Sequence, residues 1–195
     1  MLGKKIGLLF GSFNPVHIGH LIIAETVASQ LVHEVWLVVS PHNPFKDKKS
    51  LLNHHDRLHL LRLAIDENPK LRASNIEFGL PQPSYTIDTL AYLHEKYPEY
   101  EFCVIMGEDN LLSLHKWKNY EQILKYYEII VYPRPNCPDT PPLYREHPKI
   151  KWLQVPLIDL SATYIRDLVR SGGSIRYLVP DAVLEYIRTS GWWRQ

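Results

Sequence analysis

Hydrophobic residues along this chain occur in short runs, separated by polar segments rich in glycine and proline. Short apolar runs bounded by turn residues predict buried strands. Such runs lie at 6–10, 34–40, 71–78, 101–106, 128–132 and 151–155. Elsewhere apolar residues recur at three- and four-residue spacing, which predicts amphipathic helices. These helical segments lie at 54–68, 86–96, 120–127, 161–170 and 180–189, and along the stripe of Leu21, Ala24, Ala28 and Leu31.

Strands that alternate with helices predict an α/β fold. The expected architecture is a doubly wound, Rossmann-like parallel sheet of five or six strands, with helices on both faces and a small helical C-terminal end. Residues 133–149 are rich in proline and are expected to form a long surface loop. Because too little chain follows this loop for a second core, we expect a single domain over residues 1–195.

The first strand and the first helix are joined by a turn that carries two histidines, His17 and His20. Spaced three residues apart at a helix start, they share a face near the positive end of the helix dipole. Unpaired backbone amides at a helix start bind anions, and Gly11 and Ser12 let a ligand approach the backbone closely. The pattern therefore points to phosphate chemistry, and two surface histidines at a helix cap are the alternative.

Ligands of doubly wound sheets bind beyond the carboxyl ends of the strands, where the strand order reverses. The segments 11–20, 41–46, 107–109 and 133–135 each follow a predicted strand. We therefore expect these four segments to converge on one mouth.

A second candidate phosphate site lies at the start of the helix predicted at 161–170. Ser161 is a good N-cap residue, and its hydroxyl and the first amides of the helix can hold phosphate oxygens. Arg166 adds a planar pair of donors suited to phosphate. A plain capped helix with a surface arginine is the alternative interpretation.

The composition of the 195 residues, with 45% hydrophobic and 22% charged residues, is that of an ordinary globular protein. The formal net charge of +1 gives no electrostatic reason to expect binding to nucleic acid or to a membrane surface. No apolar run approaches the roughly 20 residues needed to cross a bilayer. Cys103 and Cys137 form no disulfide framework and no metal-ligand cluster, so we expect a cytoplasmic protein.

Residues 11–20, GSFNPVHIGH, resemble the signature of the nucleotidyltransferases that carry a T/HxGH motif. Four further segments resemble, in the same order, motifs of bacterial nicotinate-nucleotide adenylyltransferases. They are PSYTIDTL at 83–90, the G-x-D of 107–109 with Trp117, Arg134-Pro135, and SIRYLVP at 174–180. Residues 160–166, LSATYIR, also resemble the phosphate-holding motif of the superfamily, with Ala162 where a hydroxyl residue is common.

The resemblance implies transfer of the adenylyl group of ATP to nicotinate mononucleotide, giving deamido-NAD and pyrophosphate. It implies catalytic roles for His20 and His17, and Mg²⁺ held mainly by the ATP phosphates without a protein metal site. The implied ATP-binding residues are Gly11, Ser12, Phe13, His17, His20, Gly107, Asp109, Ser161, Thr163 and Arg166. The implied mononucleotide-binding residues are Lys46, Tyr85, Thr86, Trp117, Lys118 and Arg134.

Structural alternatives exist for several of these residues. Asp109 could simply stabilise a helix start, Trp117 could be a core residue, and Lys46 and Arg134 could be solvated surface charges. Two other functions also stay open, a nucleotidyltransferase with another acceptor and a non-catalytic nucleotide-binding module. The sequence leaves open whether the protein is a homo-oligomer.

Overall fold

The structure is a computed structural model, described here over residues 3–41 and 51–194. Its strands are β1 (Lys4–Gly11), β2 (Glu34–Val39), β3 (Leu71–Ser74), β4 (Tyr100–Gly107), β5 (Glu128–Tyr132) and β6 (Ile150–Trp152). Its helices are α1 (Ile18–Gln30), α2 (His54–Ile65), α3 (Thr86–Lys96), α4 (Glu108–Leu112), α5 (Tyr120–Tyr126), α6 (Pro142–Arg145), α7 (Ala162–Arg170) and α8 (Asp181–Ser190). Two 3₁₀ helices cover Ile76–Gly79 and Leu114–Lys116.

The six strands form one sheet in the order β3-β2-β1-β4-β5-β6. Every neighbouring pair is parallel, and Leu8 in β1 is paired with Trp36 of β2 on one side and with Val104 of β4 on the other. The strand order therefore reverses between β1 and β4. The prediction of a doubly wound parallel sheet is confirmed.

Alternate side chains of the strands point to two separate hydrophobic layers, as the pleat of a strand requires. Leu9 and Ile105 belong to the layer that contains α1, α2, α7 and α8. Leu8 and Val104 belong to the layer that contains α3, α4, α5 and α6. Helices thus cover both faces of the sheet, and the helical C-terminal end packs against one of them.

Some predicted boundaries were wrong. The strand expected at 71–78 ends at Ser74, and the chain then turns into a 3₁₀ helix that buries Glu77. The strand expected at 151–155 is the short β6, and the helix expected at 54–68 ends at Ile65. The loop expected at 133–149 contains α6, whose Tyr144 is buried in the core. In each case tertiary contacts, which no local pattern contains, decide where regular structure stops.

Candidate active site

The turn after β1 has a tightly folded backbone. Phe13 adopts a left-handed conformation, with φ at 45°, and its side chain is buried. A Cβ atom at Gly11 would lie 2.8 Å from the Phe13 ring, so only glycine fits at that position. Phe13 was predicted to bind ATP. Because its ring is buried, only its backbone can contact a ligand.

His17 and His20 stack against each other at the start of α1. Their ring centroids are 3.7 Å apart, and the backbone N–H of His17 donates to Nδ1 of His20 at 3.2 Å. Because Nδ1 accepts this bond, the proton of a neutral His20 ring lies on Nε2. His20 is thereby held as a hydrogen-bond donor with a fixed orientation.

His17 is buried, with 5% of its surface exposed. Burial, and secondarily the charge of Arg134, lowers the pKa of His17 to about 4. Its Nδ1 atom is buried and has no hydrogen-bond partner in the described part of the chain. His17 is therefore a neutral ring at physiological pH in this structure.

A narrow cleft separates the two histidines from the segments that follow β5 and β6. It is lined by Leu9, His17, Gly19, His20, Ile23, Tyr132, Pro133, Arg134, Pro156, Ile158 and Leu160. The structure thus brings the predicted segments 11–20 and 133–135 together, next to the point where the strand order reverses.

Gly107, Asp109 and Arg134 form the part of the site beyond β4 and β5. A Cβ atom at Gly107 would collide with the carboxylate of Asp109, so the glycine leaves room for that side chain beside the backbone. Arg134 Nε lies 3.4 Å from Asp109 Oδ1, and its guanidinium lies 5.4 Å from the centre of the Tyr132 ring. Asp109, predicted to bind ATP, and Arg134, predicted to bind the mononucleotide, are therefore paired with each other.

The start of α7 is joined to the turn after β1. The hydroxyl of Ser161 accepts from the backbone N–H of Tyr164 at 3.2 Å, which makes Ser161 the N-cap of α7. Arg166 donates through Nη1 to the carbonyl of Asn14 at 2.8 Å and through Nη2 to Thr163 Oγ1 at 3.1 Å. Its Nε is buried without a partner among the described residues. Arg166 thus lies beside the turn after β1 that was predicted to bind anions, and its Nε is not used by the protein residues described.

Residues predicted to bind the mononucleotide gather at the start of α3. Thr86 is the first residue of this helix. Lys118 Nζ lies 2.8 Å from the carboxylate of Asp88 and 4.9 Å from the centre of the Tyr85 ring. Asp88, to which the sequence assigned no role, therefore neutralises Lys118.

Two other residues were predicted for the acceptor site, Trp117 and Lys46. Trp117 is partly buried and packs against the core layer that contains α3 and α5, so it also serves the structural role considered above. Lys46 lies outside the described residues.

Glu77 is a buried residue that the sequence analysis missed. Its carboxylate accepts from the hydroxyls of Ser84 and Thr89, each at 2.9 Å, and is also hydrogen-bonded to the side chain of Ser40. Burial raises the pKa of Glu77, and these hydroxyl donors oppose that rise. Glu77 anchors the segment before α3 to the end of β2. The only signal in the sequence is a charged residue inside an apolar run.

The strand order, the anion-binding turn and the polar groups beside it define a nucleotidyltransferase-like α/β protein. The family model described as "Cytidylyltransferase-like" matches residues 8–168.

Individual relatives identify the chain more closely. A "Probable nicotinate-nucleotide adenylyltransferase" of Cytophaga hutchinsonii is 54% identical over 184 residues, which cover 94% of this chain and 95% of that protein. A protein of the same description from Flavobacterium psychrophilum is 50% identical over 192 residues, which cover 98% and 100%. The chain belongs to the nicotinate-nucleotide adenylyltransferase family.

Solved structures support the fold. The structure described as "Plasmodium falciparum nicotinic acid mononucleotide adenylyltransferase complexed with NaAD" matches with a TM-score of 0.84 at 19% identity, over 97% of both chains. The same Plasmodium falciparum enzyme complexed with APC gives a TM-score of 0.83.

The stability of the protein should depend on pH through His17. The unfolded chain takes up a proton at His17 near pH 6.5, whereas the folded chain does so only near pH 4. The stabilisation by neutral His17 is therefore complete above pH 6.5 and is lost as the pH falls from 6.5 to 4, by roughly 3 kcal/mol. His17→Asn should flatten this part of the curve, measured as the free energy of unfolding by urea at a series of pH values.

Exposed His94 provides the matched control for this experiment. His94→Asn should keep the wild-type slope between pH 6.5 and pH 4. If His17→Asn and the wild type lose stability equally over this range, His17 is not buried as a neutral ring.

Proposed function

We propose that this chain transfers the adenylyl group of ATP to nicotinate mononucleotide, releasing deamido-NAD and pyrophosphate. The observation that carries the proposal is the meeting of an anion-binding turn, with its two stacked histidines, and a second group of polar residues along one edge of the sheet. This edge lies where the strand order reverses, which is where doubly wound proteins bind nucleotides.

The reaction requires a nucleophile, an electrophilic phosphorus and stabilisation of charge. The phosphate of the mononucleotide is already an anion at neutral pH, so its oxygen can attack the α-phosphorus in line while pyrophosphate leaves. No protein base and no covalent intermediate are needed, and catalysis consists of positioning and charge stabilisation. Nε2 of His20 is the donor placed to contact the α-phosphate as its charge increases.

The other residues hold the two substrates in this geometry. The backbone at Gly11 and Ser12 binds the ATP phosphates, with Arg166 donating from the side of α7. The first amides of α1, which the sequence suggested as phosphate donors, are largely taken, because the N–H groups of His17, Ile18 and His20 already donate within the protein. Asp109 accepts hydrogen bonds from the ribose of ATP, and Arg134 binds the mononucleotide phosphate. Because these two residues are paired, each substrate replaces one partner of an existing ion pair.

The divalent cation is best accommodated by the nucleotide. Among the described residues, no group of three or more His, Cys, Asp or Glu side chains is arranged so that it could hold a metal ion. Near the mouth, Glu108 accepts from Thr140 at 2.6 Å and Asp109 is paired with Arg134. Mg²⁺ would be held mainly by the ATP phosphates, as the sequence resemblance implies, and it would neutralise phosphate charge there.

Other predictions about the whole molecule stay predictions. They are a single domain over residues 1–195 and a cytoplasmic location, and the oligomeric state stays open. None of the described helices has both the length and the apolar character that crossing a bilayer requires.

The direct test is to incubate the protein with ATP, Mg²⁺ and nicotinate mononucleotide and to identify the products by mass. Deamido-NAD and pyrophosphate should appear in equal amounts, and only when all three components are present. Turnover with phosphopantetheine but not with the pyridine nucleotide would indicate another acceptor. Binding of ATP without release of pyrophosphate would indicate a non-catalytic module.

Replacement of His20 should affect turnover more than binding. In His20→Ala we expect kcat to fall by about 10²–10³, because loss of one donor to a developing charge has about this effect. The KM for ATP should change little, since the backbone amides and Arg166 remain. Exposed His94 on α3 gives the control, and His94→Ala should retain wild-type kcat. A folded His20→Ala protein with unchanged kcat would leave His20 only a structural role at the start of α1.

The enzyme should prefer the acid mononucleotide over its amide. The two substrates differ only in a carboxylate against a carboxamide, so discrimination needs donors without matching acceptors. Thr86 and the first amides of α3 supply such donors at the positive end of a helix dipole. Two charge-assisted hydrogen bonds correspond to a preference on the order of 10²–10⁴ in kcat/KM.

Thr86→Val tests this preference at nearly constant side-chain volume. It should reduce kcat/KM for the acid while leaving the KM for ATP nearly unchanged. Thr189→Val removes a comparable exposed hydroxyl, which donates to Glu185 in α8, and should alter neither parameter. Equal kcat/KM of the wild type for acid and amide would instead indicate an enzyme of dual specificity.

A further inference from the structure

Arg57 is a completely buried arginine in the first turn of α2. Its guanidinium donates to four backbone carbonyl oxygens. Nε donates to Leu52 at 3.0 Å, Nη1 donates to Ser12 at 2.6 Å and to Ser40 at 2.9 Å, and Nη2 donates to Pro41 at 3.0 Å. One side chain therefore satisfies the carbonyl groups of several separate stretches of backbone.

These stretches surround the predicted phosphate site. Ser12 belongs to the turn after β1 that is proposed to bind anions, Ser40 and Pro41 follow β2, and Leu52 precedes α2. The backbone N–H of Leu52 also donates to Oδ1 of Asn14 at 3.1 Å, which brings it back to the same turn. Arg57 thus connects the carboxyl ends of the two neighbouring strands β1 and β2.

Within residues 3–41 and 51–194, the charge of Arg57 is compensated by backbone dipoles alone. Burial lowers its pKa to about 10, so the guanidinium is still a cation at neutral pH. All its hydrogen-bond partners in the described part of the chain are carbonyl dipoles and none is a carboxylate. A buried charge of this kind is costly unless an opposite charge lies nearby. An anion bound on the other side of the Ser12 peptide would supply that opposite charge.

The same contacts extend to the acceptor side of the site. Arg57 holds Ser40 by its carbonyl, while Glu77 is hydrogen-bonded to the side chain of Ser40. Glu77 in turn holds Ser84 and Thr89, which flank the start of α3. A continuous set of hydrogen bonds therefore runs from the anion-binding turn to the segment that carries the predicted acceptor residues.

We propose that Arg57 is a positioning residue for adenylyl transfer, which fixes the anion-binding turn against the end of β2 and places a buried positive charge behind the bound polyphosphate. This inference rests on the proposed function. It assigns to Arg57 two separable contributions, the geometry of its planar donors and its charge.

Two variants separate these contributions. Arg57→Lys keeps the charge but loses the planar donors, and Arg57→Met loses both. A displacement of about 1 Å in a catalytic geometry costs about 10²-fold in rate, so we expect kcat to fall by about this factor in both variants. The KM for ATP should stay within about threefold of wild type in Arg57→Lys, which keeps the charge. It should rise about tenfold in Arg57→Met, because the attraction between a buried charge and a nearby phosphate contributes about that factor to binding.

The readouts are kcat, both KM values and the rise in melting temperature that ATP produces, all measured well below the melting temperature of each variant. ATP should raise the melting temperature of Arg57→Lys nearly as much as that of the wild type, and that of Arg57→Met much less. Arg62 is an exposed arginine on the same helix, so Arg62→Met should match the wild type in all of these measurements.

A purely structural Arg57 would give a different result. Its variants would melt at lower temperature while keeping kcat and both KM values within about twofold of wild type, which would overturn the inference. If Arg57→Met does not fold, Arg57→Lys is the deciding variant. An unchanged kcat in Arg57→Lys would then overturn the positioning role of Arg57.

Failure of the proposed function would be distinguishable. In that case the wild type would be stabilised by ATP but would form no dinucleotide. The rise in melting temperature that ATP produces would then be the only test of the role of Arg57. A shift kept in Arg57→Lys and lost in Arg57→Met would then support the role of its charge. Equal shifts in all three proteins would refute that role, and no shift in the wild type would overturn both proposals.

Discussion

The pairing of β1 with both β2 and β4 is the constraint on which the site depends. Leu8 has hydrogen-bonded neighbours on both sides, Trp36 in β2 and Val104 in β4. Right-handed connections then take the chain away from β1 in opposite directions and place helices on opposite faces. A crevice is left at the carboxyl end of β1, and the turns after β1, β4 and β5 enter it. The crevice thus follows from the strand order of the sheet and does not depend on which residues line it.

Precise geometry inside this crevice comes from buried polar contacts and not from regular structure. The turn after β1 is held through Asn14, whose side chain accepts from Leu52 and whose carbonyl accepts from Arg166. Buried polar groups need such partners, because an unsatisfied one costs roughly 1–3 kcal/mol. The need to satisfy these groups therefore places loops that are distant in sequence at fixed positions around the site.

Local sequence patterns correctly predicted secondary structure that depends mainly on neighbouring residues. The helix predicted at 86–96 and the strand predicted at 128–132 coincide with α3 and β5, because turn residues and periodicity mark both ends. Arg57 and Glu77 were missed because their roles consist of contacts with residues far along the chain. Arg57 lies on the same stripe as Leu61, and a charged residue on an apolar stripe was the one available signal. The sequence predicted that the segments carrying Asp109 and Arg134 would converge, but not that the two side chains would pair, because that pairing depends on their orientations within the folded site.

The charges around the crevice divide into a fixed set and an exchangeable set. Arg57 is buried and held by backbone carbonyls, so its position cannot respond to a ligand without disturbing the turn itself. Arg134 and Asp109 are partly exposed, and an ion pair of this kind contributes only about 0–1 kcal/mol. Little free energy would therefore oppose its separation if, as proposed, a phosphate binds Arg134 and a ribose hydroxyl binds Asp109. In that proposal the buried charge of Arg57 fixes the position of the polyphosphate, while Arg134 and Asp109 hold each other in place until the substrates bind.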